Sequence, residues 1–137
     1  MSQLYLLDTD MASYVIKGRN PTLEAQFREL APSSIAVSVI TRAELMYGLK
    51  RLPQSHRLQV GVRQFLKIVR VLAWDAEAAD FYAEIRHQLT TSGWPIGELD
   101  MMIAAHSLSA GAVLVSNNLR HYARINLPIV LENWIEN

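Results

Sequence analysis

The sequence predicts an α/β fold in which a parallel sheet of about five strands lies between two layers of helices, a three-layer α/β/α sandwich. Two patterns carry this prediction: apolar runs of strand length recur along the chain, and segments with helical spacing separate them. Half of the 137 residues are hydrophobic, which is enough for one core of ordinary size. Since no internal repeat, low-complexity tract or linker interrupts the chain, we expect a single domain over residues 1–137.

The predicted strands are rich in Val, Ile and Leu and do not alternate with polar residues. That pattern is typical of strands buried on both faces, as in a parallel sheet. In chain order they are Leu4–Leu7, Ile35–Ser38, Ile68–Trp74, Ala112–Ser116 and Ile129–Leu131.

The predicted helices lie between these runs. In chain order they are Met11–Lys17, Pro21–Leu30, Ile40–Leu52, Ser55–Lys67, Ala76–Leu89 and Leu99–Ala110. Because strands alternate with helices, we expect right-handed crossovers that place helices on both faces of the sheet. Ligands of such sheets bind beyond the carboxyl ends of the strands, so a functional site is expected there.

The composition excludes several kinds of protein. The chain has no cysteine, which rules out disulfides, zinc–thiolate sites and cysteine nucleophiles. No apolar run approaches the ~18 residues of a membrane span, and no basic region precedes a hydrophobic stretch at the amino terminus. We therefore expect a cytoplasmic protein without membrane contact. The 13 basic and 13 acidic residues balance, which neither favours nor excludes a nucleic-acid partner.

Acidic and amide side chains stand near the carboxyl ends of the predicted strands. Asp8 ends the first strand, Glu44 comes soon after the second, and Asp100 stands in the first turn of the helix before the fourth. Asn118, preceded by Asn117, follows the fourth strand. We expect these side chains to project toward one edge of the sheet. A set of ligands that are all oxygens suits a hard cation such as Mg²⁺ or Mn²⁺, whose usual chemistry is at phosphates.

Each of these residues also has a purely structural interpretation. Asp8 could cap the helix that follows it, Asp100 could interact with a helix dipole, and Asn118 could be another cap. Glu44 follows Thr41 by three residues, as in a capping box with Thr41 at the N-cap. Caps do not require burial at one shared edge, however, so the set as a whole favours a metal site.

Two other acids are interpreted differently. Asp75 also follows a strand and starts a helix, but we interpret it as an N-cap only. Glu98 precedes Asp100 by two residues and therefore points about 200° away around the helix. A solvated helix start is the favoured interpretation of Glu98, and a position flanking the site is the alternative.

Three segments, in this order, carry the most specific pattern: "LLDTDMASYVIKG", "SVITRAELMYGLK" and "GWPIGELDMMIAAHSLSAGAVLVSNNLRHYARINLPI". Over essentially the whole chain they resemble PIN-domain nucleases, and more narrowly the VapC toxins of type II toxin–antitoxin pairs. The resemblance implies a PIN-like fold and a metal-dependent endoribonuclease that cleaves a structured RNA, such as a tRNA or rRNA loop. It also implies a cognate antitoxin that holds the enzyme inactive, and a homodimer or a higher assembly with that antitoxin.

The resemblance assigns roles to individual residues. Asp8, Glu44 and Asp100 match the three acids around the cation, and Asn118 occupies a fourth catalytic position where many members carry Asp. A neutral amide is a poorer ligand than a carboxylate, which argues against a second tightly bound metal. Asp10, which stands where Asn is common, and Ser116, which matches a small hydroxyl residue, are candidates to support the site without binding the metal themselves. Thr9 is a further candidate, and so is Glu98 in its alternative, flanking interpretation. His121 and Tyr122 replace an acid–Phe pair often found there, a change expected at the rim of the site.

The implied mechanism is attack of water on phosphorus in line with the departing 3′ oxygen, with Glu44 as a ligand or as the group that orients water. Candidates for RNA contact are Arg120 and Arg124, which follow Asn118, and Lys50 and Arg51. A solvated helix face is the alternative for the latter pair. Trp94 could stack on an unpaired base, although packing of its own loop is favoured.

An apolar groove is expected on the helical pair Ile40–Leu52 and Ser55–Lys67, and the resemblance implies that an antitoxin segment docks there. The residues expected to form it are Leu45, Met46, Leu49, Leu58, Val62 and Phe65. From the residues alone, these positions are also the core-facing sides of amphipathic helices.

Three other functions compete with this interpretation. "LLDTDMA" imitates the opening of a haloacid-dehalogenase-like phosphatase, but Ala12 stands where that family needs a hydroxyl residue. A structure-selective DNA nuclease would carry extra arches for which this chain is too short. A PIN scaffold that binds RNA or a partner without cutting would have no reason to keep three acids at their electrostatic cost.

Overall fold

The computed structural model describes residues 3–135, and it confirms the predicted α/β sandwich. All neighbouring strands pair in parallel, in the order β3-β2-β1-β4-β5. The strands are β1 (Tyr5–Leu7), β2 (Ile35–Ser38), β3 (Arg70–Leu72), β4 (Val113–Val115) and β5 (Leu131–Glu132).

Helices connect these strands at the places that the sequence indicates. They are α1 (Thr9–Lys17), α2 (Pro21–Glu29), α3 (Val39–Lys50), α4 (Leu58–Ile68), α5 (Ala76–Ser92), α6 (Glu98–Ala110) and α7 (Leu119–Tyr122). The short α7 and a 3₁₀ turn at Pro32–Ser34 were not predicted. No helix within residues 3–135 is long and apolar enough to cross a membrane.

Strand side chains alternate between two covered faces of the sheet. Leu7 and Val115 are fully buried in a cluster with α1, α2, α3 and α4. Leu6 and Leu114 are fully buried in a second cluster with α5 and α6. Because both faces are covered, the strands read in sequence as continuous apolar runs.

The strand order reverses at β1. From β1 the chain moves to β2 and then β3 on one side, whereas β4 and β5 lie on the other. A crevice therefore opens beyond the carboxyl ends of β1 and β4, the usual ligand position in an open α/β sheet. Asp8 directly follows β1 and Ser116 directly follows β4, so both residues stand at this crevice.

The start of α3 differs from the prediction. Ser38 ends β2 and caps α3 without an intervening loop, since its Oγ accepts a hydrogen bond from the Ile40 N–H at 3.0 Å. The buried His106 lies with Nδ1 2.8 Å from the same Oγ, and burial lowers the pKa of its imidazole. Thr41 is therefore inside the helix, and the capping box predicted for Thr41 and Glu44 is wrong.

Other boundaries shift for local reasons. α1 starts at Thr9, two residues before the predicted start, because its first turn is polar and Asp8 caps it. α4 starts at Leu58 because the preceding residues form a turn, in which the His56 N–H donates to the Pro53 carbonyl at 3.0 Å. β3 is shorter than predicted because Ile68 still belongs to α4.

Candidate active site

Asp8 lies at the bottom of the crevice and is only 5% exposed. Its backbone N–H donates to the Val115 carbonyl at 3.0 Å, which extends the pairing of β1 with β4 by one residue. Its Oδ1 accepts from the Met11 N–H at 2.9 Å and so caps α1. The predicted cap is therefore confirmed, and the same contacts fix the carboxylate at the strand end.

The charge of Asp8 is poorly compensated by its surroundings. Burial is the main cause that raises its pKa to about 6, and the nearby Asp10 and Asp100 raise it further. Hydrogen bonds from the Ser116 hydroxyl and the Met11 N–H act in the opposite direction.

Ser116 connects the two strand ends of the crevice. It is fully buried directly after β4, and its Oγ accepts from the Asn118 N–H at 2.9 Å while its hydroxyl donates to Asp8. Asn118 takes the N-cap position of α7, but within the described chain its side chain makes no capping hydrogen bond. The cap predicted for the Asn118 side chain is therefore wrong, and its exposed amide is left at the mouth of the crevice.

Glu44 projects from α3 toward the start of α1. Thr9 donates its hydroxyl proton to Glu44 Oε1 over 2.6 Å, and the buried Thr41 Oγ1 lies 3.0 Å from Thr9 Oγ1. Since Thr9 has a single hydroxyl proton, Thr41 is the donor in the second bond. Burial raises the pKa of Glu44, as do the charges of Asp100 and Asp10, while the Thr9 hydrogen bond lowers it.

Asp100 stands in the first turn of α6, on the other layer of the molecule from Glu44. Its carboxylate accepts a hydrogen bond from the Tyr122 hydroxyl, and its Oδ2 lies 3.8 Å from His121 Nε2. Burial raises the pKa of Asp100 most and Asp10 raises it further, whereas His121 and Tyr122 lower it.

Tyr122 was predicted at the rim, and that placement is wrong. The side chain is 1% exposed and packs in the core beneath α5 and α6, with only its hydroxyl reaching the acids. Burial raises the pKa of this phenol, and the charges of Asp8 and Asp100 raise it further, so it stays protonated as a donor. Its hydrogen bond joins α7 to Asp100 on α6, and no local spacing in the sequence indicates that contact.

The acids thus form one electrostatic neighbourhood, from which Glu98 is separate. Asp10 raises the pKa of all three of Asp8, Glu44 and Asp100. Glu98 instead accepts from the Tyr82 hydroxyl at 3.0 Å and pairs with Arg86 at 3.1 Å, with its side chain 64% exposed. The favoured interpretation of Glu98 as a solvated helix start agrees with this placement, and the flanking role does not.

The carboxylate oxygens of these acids suit a hard divalent cation, although the acids do not form a complete metal site as they are arranged. Within residues 3–135, no three His, Cys, Asp or Glu side chains stand grouped so that they could hold a metal ion. A hydrogen bond from Thr9 fixes the carboxylate of Glu44, and one from Tyr122 fixes that of Asp100. In the same part of the chain, no lysine or arginine forms an ion pair with Asp8, Glu44 or Asp100. A cation drawing these oxygens together would therefore relieve their mutual repulsion.

A groove of about 260 Å³ starts at this site and runs between α1, α3 and α4. Two of the residues that line it, Thr9 and Glu44, belong to the acidic site. Four of the six residues predicted for the groove also line it: Leu45, Leu49, Leu58 and Val62. Met46 lies instead in a separate depression with Lys50, and Phe65 packs in the core against Phe27.

The residues predicted to contact RNA are on the surface. Lys50 and Arg51, at the carboxyl end of α3, are exposed, as is Arg120 in α7. Arg124 is also exposed, and its guanidinium carbon lies 4.7 Å from the ring centroid of Trp94.

Comparisons with known proteins agree with this geometry. The family model of the PIN domain matches residues 5–126. The chain is 37% identical to the ribonuclease VapC2 of Haemophilus influenzae over 96% of this chain and 98% of that protein. It is 36% identical to the tRNA(fMet)-specific endonuclease VapC of Salmonella typhimurium over 95% of this chain and 97% of that one.

The fold is also similar to that of a solved complex. VapBC2 from Rickettsia felis, determined with a DNA fragment from its promoter, matches with a TM-score of 0.88 and 32% identity over 96% of this chain and 99% of that one. Family model, sequence identity and fold cover nearly the same residues, including the crevice and its acids. The chain therefore belongs to the PIN domain family, among the VapC ribonucleases.

Proposed function

We propose that this chain is a divalent-metal-dependent endoribonuclease and the toxin of a type II toxin–antitoxin pair. The observation that carries the proposal is the buried Asp8 at the strand reversal, which has no lysine or arginine partner within residues 3–135. The charges of Asp100 and Asp10 act on Asp8 and on Glu44 alike. The relatives named as VapC ribonucleases support the reaction class.

The proposed roles follow from the contacts of each acid. Asp8 and Asp100 would hold Mg²⁺ or Mn²⁺, with Glu44 as a third ligand or as the acceptor that orients the attacking water. Bound there, the ion would polarise the phosphoryl oxygen and lower the pKa of water. Thr9 keeps one oxygen of Glu44 occupied and so directs the other, and Tyr122 does the same for Asp100.

Two residues lie at the edge of this arrangement. The Asn118 amide at the mouth of the crevice can accept or donate a hydrogen bond to the RNA or to bound water. Asp10 contributes negative charge to all three acids and so strengthens the preference for a cation.

The proposed substrate is a structured RNA with an exposed loop. A metal-assisted attack of water does not need the 2′-hydroxyl, so preference for RNA must come from shape and loop contacts. Arg120, Arg124, Lys50 and Arg51 are the proposed contacts to its phosphates. Because the relative from Salmonella typhimurium is named as specific for tRNA(fMet), that tRNA is the first substrate to test.

The proposed partner is a cognate antitoxin, since the solved relative from Rickettsia felis is a VapBC complex. The groove between α1, α3 and α4 is the proposed docking site, because its apolar wall ends at Glu44. A segment that lay there could place a basic side chain among the acids and block them. A homodimer, or a higher assembly with the antitoxin, is proposed on the family resemblance alone.

The test is cleavage of total cellular RNA and of tRNA(fMet) by the purified chain freed of antitoxin, with Mg²⁺ or with EDTA. Asp100→Ala should abolish cleavage, whereas Asp75→Asn, which alters an N-cap outside the crevice, should not. Discrete fragments that need metal and Asp100 would support the proposal. Intact RNA with metal bound would favour a DNA nuclease or a binding scaffold. Intact RNA without metal binding would contradict the proposal and leave Asp8 with its role as the cap of α1.

A further inference from the structure

We propose that the indole of Trp94 and the guanidinium of Arg124 form a platform that binds one unpaired base of the RNA next to the cleavage point. The inference rests on the proposed ribonuclease function and adds a base-binding position to it.

Trp94 is a large aromatic side chain left on the surface. It is 59% exposed even though the Arg124 guanidinium carbon lies 4.7 Å from its ring centroid. Within the described residues it belongs to neither core cluster, so packing of its own loop does not explain it. With one face of the indole facing the guanidinium, the exposed remainder of the ring is available to a ligand.

The two segments that carry the platform are fixed by α5. The backbone N–H of Trp94 donates to the Leu89 carbonyl at 3.0 Å, which ties the loop to the end of the helix. Gln88 donates from Nε2 to the Arg124 carbonyl and accepts from the Asn126 N–H through Oε1, both at 2.9 Å. Since the backbone is already ordered, a base that stacks here has little chain entropy to offset.

Both segments also reach the acidic site. A Cβ at Gly97, three residues after Trp94, would lie 3.3 Å from Asp100 Oδ2. His121, three residues before Arg124, has Nε2 3.8 Å from the same oxygen. Three residues span at most about 11 Å, so the platform is close enough to take a base near a phosphate held at Asp100.

The chemistry of the pair selects an unpaired base. An indole and a guanidinium plane stack on any nucleobase, and the positive charge adds attraction to the neighbouring phosphate. Bases within a duplex are already stacked, whereas those in loops can turn outward onto a protein surface. The platform therefore recognises exposed loop bases rather than a particular sequence.

Binding is tested on the full chain carrying Asp100→Asn, which keeps the shape of Asp100 but is expected to stop cleavage. The probe is a labelled tRNA(fMet), with Mg²⁺ present. Trp94→Leu should weaken binding about tenfold, whereas Trp94→Phe, which keeps a ring, should stay within about threefold. Arg124→Ala should also weaken binding, and Arg70→Ala, an exposed arginine on the edge strand β3, is the matched control for charge.

The sharper test removes single bases from the loop of the same RNA, one position at a time. At the position that the platform binds, loss of the base should weaken binding as much as Trp94→Leu does. Trp94→Leu should then have no further effect on that RNA, because the two changes remove the same contact.

Equal RNA affinity of the parent, Trp94→Leu and Trp94→Phe proteins would overturn the proposal, as would additive losses at every abasic position. Unchanged RNA affinity together with weaker self-association or antitoxin binding, measured by sedimentation, would assign the platform to a protein partner instead. Because binding is measured without cleavage, RNA that is bound through Trp94 but never cut by the active chain would contradict the proposed function and leave the platform standing.

Discussion

Asp8 carries two roles with opposite electrostatic consequences. As the cap of α1 it accepts from the Met11 N–H, and that bond favours the ionised carboxylate. As a buried group near Asp10 and Asp100 it is driven toward the neutral form, and its pKa is raised to about 6. A neutral side chain of the same shape would keep the cap and remove the repulsion. The metal-free protein therefore holds a destabilising charge where a cation is proposed to bind.

We predict that Asp8→Asn stabilises the chain in EDTA at neutral pH. Between the ordinary carboxyl pKa and about 6, folded Asp8 keeps a proton that the unfolded chain releases, so wild-type stability falls as pH rises through that window. The gain should be on the order of 3 kcal/mol at neutral pH, and it should vanish as pH falls to about 4. Chemical denaturation across this pH range measures it.

Asp75→Asn is the matched control, because Asp75 is an exposed cap that accepts from the Ala78 N–H at 3.0 Å. Its effect on the free energy of unfolding should stay within about 0.5 kcal/mol at every pH. An equal change in the free energy of unfolding for the two variants would show that the buried charge of Asp8 does not destabilise the chain.

Removal of the Tyr122 hydroxyl should weaken metal binding. Tyr122→Phe keeps the buried ring but takes away the hydrogen bond to Asp100, so the carboxylate loses its fixed orientation and its pKa rises further. We expect Mn²⁺ affinity in titration calorimetry to fall roughly tenfold. Tyr47→Phe, at a side chain that is 66% exposed, should leave it unchanged. Identical affinities would mean that the bond does not position Asp100.

At the residue scale, the sequence could identify the acids but not what holds them. Asp8 and Asp100 stand at a strand end and a helix start that local patterns predict, and the structure brings Asp100 within electrostatic reach of both Asp8 and Glu44. Their roles as ligands stay predictions. Thr41 and Tyr122 act through hydroxyls whose partners come from other elements, and no local spacing carries that information.

At the scale of elements, the predicted boundaries were wrong where the start of a helix depends on a distant or unexpected group. α3 starts at once after β2 because Ser38 caps it, and Ser38 is held by His106 from 68 positions away in sequence. α4 starts late because Pro53 and His56 form a turn that hydrophobic spacing does not reveal. Element type was predictable, since it depends on periodicity within a window, whereas these ends depend on single hydrogen bonds.

Gly48 tests whether α3 keeps a glycine for the groove. It lies inside the helix with no heavy atom within 4 Å of an added Cβ, and it lines the groove. Gly48→Ala should stabilise the isolated chain by about 0.5–1 kcal/mol, because alanine has the higher helix propensity. It should nevertheless weaken antitoxin binding, since the methyl group would occupy space in the groove. Thermal unfolding and calorimetry of the antitoxin complex measure the two effects.

Gly61→Ala on α4 is the control. Its added Cβ would make an ordinary contact at 3.5 Å with Ile16, and Gly61 is not among the residues that line the groove. A similar gain in stability without loss of antitoxin affinity is expected. If both variants bound antitoxin as well as the parent chain, the groove would not be the docking site.

At the scale of the molecule, the layered fold was predictable because the strands share one local pattern, an apolar run, and the helices share another, helical spacing. The order of the strands in the sheet cannot be predicted from any one segment, and yet it decides where the crevice opens. Reversal at β1 brings together Asp8 from the sheet, Glu44 from one helical layer and Asp100 from the other. The proposed metal site is thus a junction of all three layers, which no single layer could form alone.

A cation bound at this junction should stabilise the whole chain, because it binds the folded arrangement and not the separated acids. At a metal concentration about a hundredfold above the dissociation constant, the gain is about 2.7 kcal/mol, or roughly 8–10 °C in Tm. We predict such a rise with Mn²⁺ or Mg²⁺ for the parent chain and for Asp75→Asn, but not for Asp100→Asn. The rise should shrink as pH falls through about 6, because protons then compete for Asp8. An equal rise in Asp100→Asn would place the cation elsewhere, and no rise in any variant would show that the acids do not bind it.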